Sequence, residues 1–315
     1  MTRPAVLVTG AAGFAGSHLL DLLHADGARV VAWRRPGIGA EVQQQYPWVE
    51  WREVELLDRQ DTRAQLAMVA PAFVYHLAGA PHVGESWKAT TDTLAVNVLG
   101  THHVLDGIRA AGLQTRVVVP SSSYVYRPSG HALTEEDPIQ STSPYALSKI
   151  ATELAAEHAS RYDGVPVVVA RSFNHIGPRQ DPTFFAPAVA RQIALIEKGR
   201  LEPVIKVGNI DAKRDFTDVR DTVRAYKSLV EGGSAGRIYN VCSGVPRTIR
   251  SLLDILMAHS TVGLSVEVDP ERFRPNDMPI IVGDPTRIRK ELGWSPVVPI
   301  ERSLLDLLEY WRKTV

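Results

Sequence analysis

Tyr145 and Lys149 stand one helical turn apart in Pro144 to Tyr162, a stretch that reads as helix, so their side chains share a face. A tyrosine phenol has an unperturbed pKa of about 10 and exchanges protons poorly at neutral pH. A neighbouring ammonium favours the phenolate and lowers that value. Such a pair can pass a proton to or from an alcohol or carbonyl oxygen. A serine run, Ser121, Ser122 and Ser123, follows the apolar strand Arg116 to Val119. One of its hydroxyls, Ser122 by preference, is placed to hold the same reacting oxygen. The plainer alternative is a polar turn or helix cap.

Proton transfer at a carbon–oxygen bond needs a partner that moves hydride, and the start of the chain offers a place for one. In VLVTGAAGFAGSHLL (Val6 to Leu20) a strand at Val6 to Val8 leads into Gly10, Gly13 and Gly16. A helical pattern then begins at Ser17, with Leu19, Leu20, Leu22 and Leu23. Strand, glycine turn and helix in this order make a dinucleotide-binding start. Gly10 allows a tight turn, Gly13 a close approach to a pyrophosphate, and Gly16 close packing of helix on strand. The helix N-terminus offers N–H groups and partial positive charge to phosphate. The spacing is G-x-x-G-x-x-G, and an ordinary βα turn is the alternative. A second strand, Arg29 to Trp33, runs into Arg34 and Arg35 with no acid nearby. An acid there would hold the ribose of NAD, whereas a basic residue can hold the 2′-phosphate of NADP. A solvated basic turn is the alternative.

The positioning elements follow in alternation. A third strand is expected at Val49 to Leu56, ending at Leu57-Asp58, with a helix over residues 59–70. A fourth strand, Phe73 to Leu77, stops at Ala78-Gly79-Ala80, small residues over which a cofactor can lie; His76 within it reads as a packed core histidine. One long helix is expected over Thr90 to Ala111, and a sixth strand at Val165 to Ala170. After Arg171, proline and glycine interrupt the alternation. Helices are expected at Phe184 to Lys198, Val219 to Glu231, Thr248 to His259, Pro285 to Leu292 and Ile300 to Arg312, with a strand at Ile238 to Cys242. The fold class is therefore α/β: a Rossmann-type doubly wound parallel sheet with a smaller interleaved C-terminal substrate-binding lobe. The dinucleotide unit is assigned to residues 1–171 with returning segments near 215–243, and the second lobe to 172–214 and 244–315.

The 315 residues, 44% of them hydrophobic, suffice for such a unit. Lys+Arg and Asp+Glu balance at 35 each, which argues against general nucleic-acid or membrane-surface binding. One cysteine, Cys242, excludes an intrachain disulfide and a cysteine-based zinc site, and no metal is expected. No apolar run reaches membrane-spanning length and no signal peptide is read, so a soluble, cytoplasmic protein is expected.

TGAAGFAG, His76-Leu77-Ala78-Gly79, Asn97-Val98-Leu99-Gly100-Thr101, the serine run and Tyr145 to Lys149 together resemble an extended short-chain dehydrogenase/reductase acting on nucleotide sugars. SFNHIGPRQ (Ser172 to Gln180), IKVGNIDAKRDFTDVRD (Ile205 to Asp221), IYNVCSG (Ile238 to Gly244) and RPNDMPIIVGD (Arg274 to Asp284) resemble its GDP-mannose branch. The resemblance spans nearly the whole chain. It implies that Gly10, Gly13, Phe14 and Gly16 line the pyrophosphate, Arg34 and Arg35 match NADP-using members, Leu57 and Asp58 lie beside adenine, and Leu77-Ala78 lie under the cofactor. Ser123, Asn174, Arg179, Arg214 and Arg274 are implied to contact the nucleotide sugar, with Asp277 near the nucleoside ribose. Arginine suits a diphosphate because its planar fork binds two oxygens; Arg214 could instead pair with Asp215 or Asp218.

Two positions depart from the branch. Tyr124 stands where dehydratases, and some reductases, carry glutamate, and Arg127 replaces a usual glycine, which sets 4,6-dehydration in doubt unless Glu135 or Glu136 swings in as a base, a different substrate being the alternative. The resemblance thus implies NADPH-dependent reduction of the C4 ketone of a 4-keto-6-deoxy nucleotide sugar, most simply a GDP-linked one giving GDP-D-rhamnose. A 4-epimerase or 4,6-dehydratase is the alternative within enzymes, and a cofactor-binding sensor the alternative outside them. Intact Tyr145 and Lys149 argue against the sensor. The helices at Thr90 to Ala111 and Pro144 to Tyr162 are implied to pair two copies through a four-helix bundle.

Overall fold

The computed structural model describes residues 4–37, 40–270 and 278–315. The chain opens with β1 (Ala5–Thr9), α1 (Phe14–Ala25), β2 (Arg29–Arg34), α2 (Ala40–Gln45), β3 (Glu50–Glu53), α3 (Arg59–Val69) and β4 (Phe73–His76). Short helices α4 (Val83–Ser86) and α5 (Thr90–Leu94) come next, then a turn of π-helix over Ala95–Leu99 and α6 (Gly100–Ala110). After these come β5 (Arg116–Ser122), α7 (Pro144–Tyr162) and β6 (Val167–Ser172).

The second half contributes β7 (Asn174–Ile176), α8 (Phe185–Glu197), β8 (Val204–Val207), β9 (Lys213–Asp218) and α9 (Val219–Gly232). β10 (Ile238–Val241), β11 (Pro246–Thr248), α10 (Ile249–Ala258), β12 (Ser265–Val268), β13 (Ile280–Ile281), α11 (Thr286–Leu292) and α12 (Ile300–Thr314) complete it.

Seven strands form one parallel sheet in the order β10-β6-β5-β4-β1-β2-β3. The chain runs outward from β1 through β2 and β3, then returns to β1's other side at β4. That reversal opens a crevice at the carboxyl ends of β1 and β4, the usual ligand position in such sheets. Every residue of β1 is buried, as a strand covered on both faces requires. Leu19, Leu20 and Leu23 of α1 pack on one face with Val223, Tyr226 and Leu229 of α9. Leu66, Val104, Ile108 and Ala156 pack on the other. A separate core joins α8, α10 and α12 through Ile193, Leu252 and Leu304. β9 pairs with β7, β11 and β13 in a small second sheet, and β10 returns to the first.

Several boundaries differ from the sequence expectation for local reasons. α1 begins at Phe14, three residues before Ser17, so its free N-terminus lies at the glycine turn. The third strand stops at Glu53 because the chain turns, with Asp58 N–H donating to Glu55 O at 2.9 Å. The expected single helix Thr90 to Ala111 is broken by the π-turn. β5 runs through Pro120 to Ser122, so two of the three serines lie within the strand. A proline in a central strand loses a ladder donor. Here the loss is harmless: Arg116 N–H faces β4 (to Ala72 O) and Val117 N–H faces β6 (to Pro166 O), so position 120 faces β4. Pairing with β4 has already ended at Val118.

Candidate active site

The glycine turn lies at the mouth of the crevice. Gly10 has φ +64°, and a Cβ there would sit 2.6 Å from Ala78 N and 2.7 Å from Leu77 C. Only glycine fits both the dihedral and this approach to the end of β4. A Cβ on Gly16 would sit 2.3 Å from Gly10 O, so its close neighbour is the turn rather than the strand. Gly13 is looser, and a Cβ there would sit 3.2 Å from Gly10 O. Gly13 caps α1 through its backbone, Ser17 N–H donating to Gly13 O at 2.9 Å. The N–H groups of Phe14, Ala15 and Gly16 come before the first such bond and have no acceptor one turn back within the helix. The Phe14 ring stacks on His175 at 5.7 Å.

At the end of β2 the two arginines diverge. Arg34 pairs with Glu53 on β3, whereas Arg35 is exposed just beyond the strand. Leu57 is exposed, and Asp58 beside it caps α3 by accepting from Gln60 N–H (2.9 Å) and Asp61 N–H (3.1 Å). Leu77 and Ala78 close β4, Ala78 N–H donating to Thr9 Oγ1 at 3.1 Å.

Tyr145 owes its place to a well-formed helix start. Ser143 Oγ accepts Ala146 N–H at 3.1 Å, Pro144 occupies the first turn, and Tyr145 N–H donates to Ser86 Oγ at 3.1 Å. Its phenol is buried against Ser122, and burial pushes it up to about 12 despite the Ser122 hydrogen bond. Lys149 Nζ lies 5.9 Å from the Tyr145 ring centroid and donates to Pro120 O at 3.0 Å. Burial pushes Lys149 down to about 8, with Glu153 acting in the other direction. The three serines separate by partner. Ser121 donates to Glu153 (2.5 Å), Ser122 accepts Tyr124 N–H (3.2 Å) beside the phenol, and buried Ser123 opens a short 3₁₀ turn.

Sequence reasoning assigned no role to Asn97, which the π-turn aims at the same region. Asn97 Oδ1 accepts Ala80 N–H (2.7 Å), and Nδ2 donates to Ala80 O (3.2 Å) and Ser148 Oγ (2.9 Å). It fixes the loop after β4 to α7; a polar residue on the buried face of an apolar helix was the available signal. His76 is a core residue as expected. Thr101 Oγ1 donates to Asn97 O (2.6 Å), so it accepts from His76 Nε2 (3.1 Å), leaving Nδ1 to accept from Thr9 Oγ1 (2.9 Å). Burial, then Lys149, pushes His76 down to about 3, which keeps it neutral.

The residues expected at the sugar nucleotide do not all converge. Asn174 and Arg214 share a face, because Asn174 pairs in register with Phe216, two residues from Arg214. Asn174 Nδ2 donates to Asp215 O at 3.2 Å, and buried Arg214 donates to Lys213 O at 2.8 Å. Asp215 is held by Ser243 and the N–H groups of Gly244 and Gly283, and Asp218 by Arg220 and Ser303, so both carboxylates are engaged elsewhere. Arg179 makes its contacts within the chain. With φ +71° it turns toward α1, donating at 2.7 Å to Tyr46 Oη and to Asp21 Oδ2 and lying 2.7 Å from His18 Nδ1. Arg274 and Asp277 lie outside the described residues.

Tyr124 sets its ring edge-on to Tyr145 at 6.5 Å. Neither glutamate proposed as a substitute base points there. Glu135 accepts Asn240 N–H at 2.8 Å from a buried position, and exposed Glu136 pairs with Arg287. Among the described residues there is no group of acids, histidines and cysteines able to hold a metal, nor a helix long and apolar enough to cross a membrane.

The doubly wound sheet, the glycine turn at its switch point and the Tyr145–Lys149 helix beside it define an extended short-chain dehydrogenase/reductase. Residues 7–306 match the family model described as GDP-mannose 4,6 dehydratase, and the chain belongs to that family. It is 35% identical to the GDP-6-deoxy-D-mannose reductase of Pseudomonas aeruginosa over 313 residues, 98% of each chain. It is 27% identical to a Vibrio cholerae GDP-mannose 4,6-dehydratase, covering 98% of this chain and 93% of that one. Among solved structures, RMD from P. aeruginosa with NADPH superposes with a TM-score of 0.87 at 33% identity, over 99% of this chain and 100% of that one.

Proposed function

We propose that this chain is an NADPH-dependent reductase of the C4 ketone of a 4-keto-6-deoxy nucleotide sugar, GDP-4-dehydro-6-deoxy-D-mannose giving GDP-D-rhamnose. One observation carries the reading: Tyr145, Ser122 and Lys149 supply a complete proton-donating set, while Tyr124 stands beside them and Glu135 and Glu136 are held away. The identity to the P. aeruginosa reductase supports it. The cradle at Gly10 and Gly16, which a Cβ would fill, and the N–H groups of α1 suit a dinucleotide pyrophosphate, with Leu57 and Asp58 toward the adenine.

NADPH bound there supplies hydride to C4. Ser122 orients the ketone oxygen, and Tyr145, protonated at neutral pH, donates to it as charge develops. Lys149 stabilises the phenolate left behind. Asn174 and Arg214, with Ser123 nearby, face the sugar diphosphate. The substrate-binding lobe is read as residues 172–214 and 244–315. The test supplies purified protein with the GDP-linked 4-keto sugar and NADPH, and separately with GDP-mannose and NADP⁺. NADPH is consumed in the first and no keto sugar forms in the second. The reverse pattern refutes the reading.

Arg35, exposed at the end of β2, is the candidate holder of the 2′-phosphate. Arg35→Ala should lower kcat/KM for NADPH about tenfold, the size of one charge-assisted hydrogen bond, and leave NADH unchanged. Equal loss with both cofactors removes Arg35 from that role.

The chain is read as a homodimer through α5–α6 and α7. Leu147 and Leu154 lie exposed seven residues apart on α7, with exposed Leu99 in the π-turn. Light scattering at micromolar concentration should give twice the chain mass, and Leu147→Glu/Leu154→Glu the single mass. A monomeric wild type contradicts the dimer.

A further inference from the structure

Tyr145, Lys149 and Glu153 follow one another at intervals of four along α7 and form a single row on its inner face. The proton-donating scheme uses the first two and leaves the third unexplained. Glu153 is only 6% exposed in its side chain, and a lone buried carboxylate is strongly disfavoured. It is fully engaged instead. Oε1 accepts Ser121 Oγ at 2.5 Å and Arg171 Nε at 2.9 Å, and Oε2 accepts a second Arg171 nitrogen at 2.7 Å. Arg171, 4% exposed, is held from behind by Glu135 O at 3.2 Å and by the Tyr126 ring at 4.7 Å. Ser121 and Arg171 are register partners at the ends of β5 and β6. One carboxylate on the catalytic helix thus grips the end of β5, from which Ser122 and Pro120 O reach the site, together with the end of β6 beside it.

We propose that Glu153, clamped by Ser121 and Arg171, is a positioning residue that fixes α7 against β5 and provides the negative charge balancing the Lys149 ammonium. The proposal rests on the reductase reading for its kinetic consequence only. A buried ion pair is a poor source of stability, since an apolar pair of similar volume often serves as well. A role in holding charge and register accounts for its presence.

The groups around Lys149 show why Glu153 is the one that matters. From α7 come Tyr145 and Glu153; from β5, Pro120 O and Ser121–Ser122; from the 3₁₀ turn, Tyr124; from the π-turn, Asn97; from β4, His76; and from β6, Arg171. Burial keeps the Tyr145 phenol protonated and His76 neutral, and Arg171 is paired with Glu153. Among these described groups the Glu153 carboxylate is the negative charge that opposes the loss of the Lys149 proton that burial favours, beside the hydrogen bond to Pro120 O.

The sign follows. Proton donation from Tyr145 is helped while Lys149 is charged, so reduction should fall as pH rises through the Lys149 pKa, near 8. Removing the Glu153 charge moves that fall to lower pH.

The test reads Lys149 without turnover. Carbamylation by cyanate, in which the neutral amine adds to the carbon of isocyanic acid, is followed across pH by peptide mass spectrometry, with exposed Lys88 as the internal reference. Glu153→Gln removes the carboxylate charge, Glu153→Asp keeps it, and Glu153→Gln/Arg171→Met removes the ion pair without leaving a lone buried guanidinium. Glu153→Gln should move the Lys149 midpoint down by about one pH unit, raising its labelling about tenfold below pH 7, as expected for loss of a nearby opposite charge. The double variant, which loses a positive charge as well, should move it the same way by less. Glu153→Asp should stay within a few tenths of a unit of wild type. The alkaline fall of reductase kcat should shift in step. An unchanged midpoint in folded Glu153→Gln overturns the proposal. If Glu153→Gln does not fold, the double variant against Glu153→Asp decides: equal shifts overturn it, and a downward shift in the double variant alone supports it. A shifted midpoint in a protein that never oxidises NADPH would refute the reductase reading and leave the clamp standing.

Discussion

Replacing Tyr145 with phenylalanine should lower the rate of NADPH-dependent ketone reduction by about 10²–10⁴, the usual contribution of a positioned general acid. The change removes one oxygen and keeps the ring. The edge-to-face contact with Tyr124 and the cap of α7 do not involve that oxygen, so the fold should survive. Burial holds the phenol near 12, which keeps it protonated in the direction of reduction. The reverse oxidation needs the phenolate, so its rate should rise with pH where reduction does not. Steady-state kinetics at neutral pH, with NADPH binding followed by fluorescence titration, separate chemistry from binding. The expected pattern is a collapsed kcat with NADPH affinity unchanged. A variant retaining more than a tenth of wild-type kcat would show that another group donates the proton.

Gly16→Ala should be as damaging, through binding. The added methyl would lie 2.3 Å from Gly10 O and 2.7 Å from Ala11 Cα, both backbone atoms that no rotamer change can move. The turn must open, at a cost of about 1–3 kcal/mol for overpacking, and the N–H groups of α1 lose their aim. A hundredfold weaker NADPH affinity and a lowered Tm are expected. Gly13→Ala is the control, since its methyl would meet Gly10 O at 3.2 Å and require only a small adjustment. It should lose several-fold at most. Equal effects of the two substitutions would show that the close approach at Gly16 is not what sets its importance.

What the sequence made legible was local chemistry with a clear physical signature. Ser143-Pro144 caps α7, and Pro144 to Tyr162 is helical over the stretch the sequence predicted. The glycine turn lies between a strand and a helix as its spacing demands. What stayed hidden depended on partners distant in sequence. The π-turn that aims Asn97 at Ala80 and Ser148 is indistinguishable by periodicity from ordinary helix. Pro120 reads as a strand breaker until β4 is known to have stopped pairing by then. Arg179 matches a diphosphate-binding pattern in its segment, yet Tyr46, His18 and Asp21 capture it across more than a hundred residues of chain. The strands outside the seven-stranded sheet are two to six residues long, too short for an alternating pattern to stand out.

The central claim is that hydride passes once from NADPH to C4 and the oxidised cofactor leaves. The most direct measurement supplies NADPH carrying deuterium at the transferred position together with the GDP-linked 4-keto-6-deoxy sugar, and locates the label in the product by NMR. The account predicts one deuterium on C4 and one NADPH consumed for each sugar reduced. Product formed without deuterium, or with the label on C6, would mean a cofactor retained through a cycle of oxidation and return, and would contradict it.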